Sequence, residues 1–213
     1  MNNDDMKQVE KRVRRYWYTD GIAELAVGGM FALLGLYFGI QGIFEDKSPI
    51  SVILQVSLVF VMIAGFTGVG WLVKTIKARL TYPRTGYVEY RVNDSEAKQR
   101  RRLVITVGII ITAASIVLVD FFQKVDEMVL ATGVLVGVIF ISLRGKSSGV
   151  QRFYVTGSLA IVLGVVLSFS KLTQVYNLAL FYGVLGIVIL IFGVVVLIKY
   201  LRENPMPEED SNE

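Results

Sequence analysis

Two acids, Asp20 and Glu24, stand four residues apart where the chain turns from a basic, aromatic stretch into its first long apolar run. At that spacing they share one helix face and repel each other modestly, so a cation or a basic partner has to sit nearby. An ionisable residue inside a membrane span marks a functional site by default, because its charge is costly there. A second cluster follows the second apolar run, in T-Y-P-R-T-G-Y-V-E-Y-R-V over residues 81–92, with Tyr82, Arg84, Tyr87, Tyr90 and Arg91. The candidate site joins the two clusters: Arg84 or Arg91 pairs with Asp20 or Glu24, and Tyr82, Tyr87 and Tyr90 pack beside Trp17. The plainer alternative is that the arginines meet only lipid phosphates.

The chemistry open to these groups is narrow. The chain has no His and no Cys, which removes the commonest general base, the thiol nucleophile and thiolate or imidazole metal ligands. Carboxylates, Lys, Tyr, Ser and Thr are what is left. No phosphate-binding loop, dinucleotide fingerprint, zinc motif or serine-hydrolase elbow occurs. No catalytic, metal or cofactor-binding residue is therefore assigned.

The elements that must position these residues are helices in a bilayer. Of the 213 residues, 54% are hydrophobic and 19% charged, and the mean hydropathy is +0.57. Charge is bunched between apolar runs long enough, or nearly so, to cross a membrane. The expected fold is all-α: a six-span bundle of three hairpins, with spans near 21–44, 51–73, 103–122, 128–143, 153–170 and 176–199. The fourth is short, with 16 uncharged residues between Glu127 and Arg144. Residues 1–20 read as an interfacial amphipathic segment, with Met6, Val9, Val13 and Trp17 on one face. Residues 21–200 form the membrane domain, with an ordered basic loop at 74–102, and 201–213 an acidic, disordered tail. The first run reads as a retained anchor, and Asp20 as its helix N-cap.

Charge sets the orientation. Of the 22 Lys and Arg, only Lys47, Lys124 and Lys171 fall in the first, third and fifth connections; the other 19 flank the opposite ends of the spans. The positive-inside rule then puts both termini in the cytoplasm. Small residues supply the packing faces: Gly28, Ala32, Gly35 and Gly39 in the first span, Gly133 and Gly137 in the fourth, Gly183 and Gly186 in the sixth. Such residues let membrane helices approach closely.

The motifs R-R-Y-W-Y-T-D-G-I-A-E-L-A-V-G and T-Y-P-R-T-G-Y-V resemble those of an uncharacterised family of small prokaryotic multi-pass membrane proteins. The resemblance covers about the first 92 residues. It implies the cytoplasmic membrane of a prokaryote and carries no activity, ligand or catalytic role with it.

Three functions fit this sequence. The first is a non-enzymatic scaffold or partner subunit, whose basic inner loop meets anionic lipid headgroups or a cytoplasmic partner and whose small-residue faces bind another membrane protein or a second copy. The second is a small-solute or ion transporter or channel, against which the scarcity of central polar groups argues. The third is a lipid-handling enzyme at the inner interface. Nucleic-acid binding is set aside, because positive-inside bias already explains the basic loop.

Overall fold

The computed structural model describes residues 17–44, 48–85, 127–145 and 149–205. Residues 1–16 of the amphipathic N-terminal segment, the stretch carrying Tyr87, Tyr90 and Arg91, the third span expected near 103–122 and residues 206–213 of the acidic tail lie outside the described residues. Residues 74–80 of the expected loop and 201–203 of the expected tail are helical, since no proline follows those apolar runs before Pro83 and Pro205. The elements are α1 (Ile22–Ile43), α2 (Pro49–Leu80), the short α3 (Tyr82–Thr85), α4 (Glu127–Val138) continuing as a π-helical segment (Ile139–Gly145), α5 (Gln151–Ser168) and α6 (Gln174–Glu203). No strand occurs among the described residues.

Helix boundaries follow local chemistry. Gly21 holds φ at 71°, a left-handed turn that suits glycine, and its carbonyl takes the first helical bond from Leu25 N at 3.1 Å. Asp20 is thus not the N-cap; it sits one residue earlier and accepts from Ile22 N at 3.2 Å. Pro49 opens α2, where a missing N–H costs nothing. Pro83 cannot donate back into α2, so the ladder breaks and resumes as the single turn α3. The expected turn around Arg84 is therefore helical. Helix α4 continues through seven π-helical residues, a local widening of the helix.

By length and composition, four helices could cross a membrane: Ile22–Ile43, Val56–Arg84, Gln151–Ser168 and Gln174–Glu203. Met128–Ser142 is a shorter apolar helix. With 30 residues, α6 is about 45 Å long, which exceeds a hydrocarbon layer of about 30 Å and carries its last turns into the interface. Phe60, Trp71, Val166, Val195 and other large apolar side chains stand exposed along these helices, more than a water-soluble monomer leaves open.

The most extensive packing joins the first helix to the last. The two are antiparallel, with Gly21, Gly28, Gly35 and Gly42 of α1 facing α6 one heptad apart. A Cβ on Gly28 would stand 2.7 Å from Leu190 N, one on Gly35 2.6 Å from Gly183 Cα, and one on Gly186 2.9 Å from Ala32 Cα. Gly42 takes the Tyr176 ring, and the Tyr176 hydroxyl donates to the Gly42 carbonyl at 2.8 Å. Gly39 was expected in this face but has nothing within 4 Å of its Cβ position, because the contact repeats every seven residues and Gly39 falls between repeats. The Cβ position of Gly183 is likewise open, and only its backbone meets Gly35. A second close seam joins α4 to α5: Gly133 lies against Gly164, and Gly137 against the Gly157 carbonyl.

Helix α2 crosses α1 as an antiparallel neighbour through Ile22, Ala26 and Val73, and the Tyr37 hydroxyl donates to the Leu54 carbonyl. The main core lies between α4, α5 and α6, around Val129, Phe140, Phe153, Ala160, Phe181 and Leu185. Aromatic rings thread it. Tyr18 meets Phe153 at 5.0 Å between centroids, and Phe153 meets Phe140 at 6.2 Å. Phe140 meets Phe31 at 6.4 Å, Phe31 meets Tyr182 at 5.6 Å, and Tyr182 stacks on Phe38 at 5.7 Å. Mostly edge-to-face, these are favoured ring geometries.

Candidate functional site at the charged end of the bundle

At the end where α1 begins and α6 finishes, both acids of the first cluster are buried: Asp20 is 0% and Glu24 4% exposed. They face different helices. Asp20 Oδ2 pairs with Lys77 Nζ of α2 at 2.7 Å and accepts from Thr81 Oγ1 at 2.9 Å. With Oδ1 taken by Ile22 N, this carboxylate has acceptor work on both oxygens. Lys77, 2% exposed, also donates to the Trp17 carbonyl at 2.6 Å and lies 4.3 Å from the centre of the Trp17 ring. An ammonium has three protons, and here each has an acceptor or a π face.

Glu24, one turn along, points to α5. Its Oε1 accepts from Arg152 Nε at 2.6 Å, and Arg152 Nη2 donates to the Tyr18 carbonyl. The other oxygen of Glu24, Oε2, is buried with no hydrogen-bond partner among the described residues. Two ion pairs therefore fasten the start of α1 to α2 on one side and to α5 on the other.

The second sequence cluster contributes differently from what its residues suggest. Arg84 pairs with neither acid; its Nη1 donates to the Asn204 carbonyl at 2.8 Å, at the end of α6. The reason is register. Asp20 lies level with Lys77 and Thr81, so Arg84, about a turn beyond Thr81, overshoots α1. Trp17 does join the site, 39% exposed, through Lys77. Tyr82 lies in α3. Tyr87, Tyr90 and Arg91 are outside the described residues.

Sequence reasoning missed Lys77 and Arg152. Both had been absorbed into the positive-inside tally. Lys77 carried one available signal, since it follows Val73 by one turn and so continues a face of the apolar run. Arg152 carried none, because its partner is 128 residues away.

Beside the pairs an open cleft of about 940 Å³ lies between the start of α5 and the end of α6. Tyr18, Arg152, Val196, Lys199, Tyr200 and Asn204 are among its lining residues. Among the described residues no group of three or more Asp and Glu is placed to hold a metal ion. No protein family, curated protein or solved structure matches this chain. What the site defines is thus a class: an all-helical bundle with several helices apolar and long enough for a membrane, tied at one end by buried charge pairs.

Proposed function

We propose that the chain is a multi-pass protein of a prokaryotic cytoplasmic membrane, with six crossings and both termini on the cytoplasmic side, acting as a non-enzymatic scaffold or partner subunit. The observation that carries this reading is the closure of the charge cluster. Asp20 and Lys77 spend their hydrogen bonds on each other and on the surrounding chain, and Arg152 is pinned by Glu24 and the Tyr18 carbonyl. Asp20 and Lys77, so occupied, hold helices together instead of lining a path or meeting a reactant. The antiparallel seam of α1 and α6 supports an even number of crossings, since it brings the beginning of the first helix and the end of the last to one face.

The transporter reading keeps one observation in its favour, the buried Glu24 Oε2, unpartnered among the described residues. Purification in native nanodiscs, with identification of whatever co-purifies, separates the two. A stoichiometric protein partner is the expected outcome. A retained solute whose binding is lost in Glu24→Gln would overturn the scaffold reading. Tags at residues 5 and 210 test the topology, and opposite accessibility would refute it.

A further inference from the structure

We propose that the cleft between α5 and α6 binds a phosphoryl group, presented by an anionic phospholipid headgroup or by free phosphate. The proposal rests on the reading of that end of the bundle as lying at a membrane surface.

Three features of the cleft point the same way. Arg152 lines it with a guanidinium whose orientation is already fixed. Its Nε goes to Glu24 and its Nη2 to the Tyr18 carbonyl, while Nη1 has no acceptor among the described residues. A pre-oriented guanidinium loses little freedom on binding an oxyanion. The first turn of α5 forms the adjoining wall. Its N-cap, Val150, supplies no side-chain hydrogen bond, and the turn contains no acid. The N–H groups of Gln151 and Arg152, both in the cleft lining, have no acceptor within the helix, and the positive end of the helix dipole favours an anion there. Lys199 stands opposite with its side chain 73% exposed, and its ion pair with Glu203 is a loose 3.8 Å. An exposed pair of that kind is worth little and yields readily to a stronger anion.

Among the described lining residues the cations are Arg152 and Lys199 and the acid is Glu203; Glu24, which is not among those lining residues, balances Arg152 through Nε and leaves Nη1 out of the pair. Its other surfaces suit an amphiphile. Val150 and Val196 offer apolar wall, and Tyr18 and Tyr200 are the residue type that gathers at the headgroup level.

The test uses the full chain in detergent, with bound molecules counted by native mass spectrometry. Phosphatidylglycerol is titrated against diacylglycerol, which lacks the phosphate, and inorganic phosphate is added as a competitor. Phosphatidylglycerol should bind in preference, and Lys199→Glu should weaken it by at least about fivefold, since each basic residue near an anionic headgroup is worth about a fivefold change. Lys171→Glu, at the opposite end of α5, should leave binding as in the wild type. The unfolding midpoint of each variant without lipid serves as the folding check. Competition by inorganic phosphate would identify the phosphoryl group alone as sufficient. Lipid binding that phosphate does not displace would identify the headgroup with its chains as the ligand. Equal binding of the two lipids with no phosphate binding, or a Lys199→Glu variant indistinguishable from wild type, would overturn the proposal. A chain that remains soluble without detergent would instead defeat the membrane reading on which it rests.

Discussion

Lys77 and Asp20 meet at 2.7 Å with almost no side-chain surface open to solvent, one from the last turn of α2 and the other from the residue before the turn into α1. Removing one member of a buried pair strands the other charge, which costs about 3–5 kcal/mol. Lys77→Met should lose about that much stability. The double variant Asp20→Asn/Lys77→Met should recover a large part, because the amide oxygen still accepts from Ile22 N or Thr81. Denaturant unfolding in detergent measures both, and a single variant within about 0.5 kcal/mol of wild type would contradict the assignment.

Glu24 and Arg152 should behave as a coupled unit. A double-mutant cycle with Glu24→Gln and Arg152→Met is expected to give a coupling of at least about 1 kcal/mol. The coupling should persist at high salt, since screening acts weakly on buried charges. A coupling that vanishes with added salt would describe a surface pair instead.

The glycine face makes a paired prediction. Gly35→Ala places a methyl group against the Gly183 backbone, with nothing flexible to give way, and should destabilise by about 1–3 kcal/mol. Gly39→Ala meets open space and should be neutral, or stabilising by up to about 1 kcal/mol through helix propensity. Equal effects at the two positions would refute the observed register.

Because the chain has no cysteine, introduced pairs report without background. Ala26 and Val73 share one buried cluster, so Ala26→Cys/Val73→Cys should cross-link under mild oxidation and shift on a non-reducing gel. Ala26→Cys with Val162→Cys, an exposed position on α5, should not. The opposite pattern would displace α2 from its place beside α1.

How much of this was legible in the sequence depends on how far apart the partners lie. Apolar runs placed the described helices, because that signal is contained in adjacent residues; the N-cap at Gly21 and the continuation of α2 to Leu80 were not read from it. The need of Asp20 and Glu24 for cations was also legible, since it follows from charge and hydropathy alone. Which cations was not. Lys77, Arg84 and Arg152 all carry a positive charge, and only the relative depth of α1, α2 and α5 decides among them. Gly28 and Gly39 differ in the same way: they are indistinguishable as letters and are separated only by where α6 lies.

The rings from Tyr18 to Phe38 give the bundle a mechanical character. Each aromatic side chain leans on the next, so a change of rotamer at one disturbs the packing of its neighbour. A thread of water passing lengthwise inside one copy would require several of them to swing together.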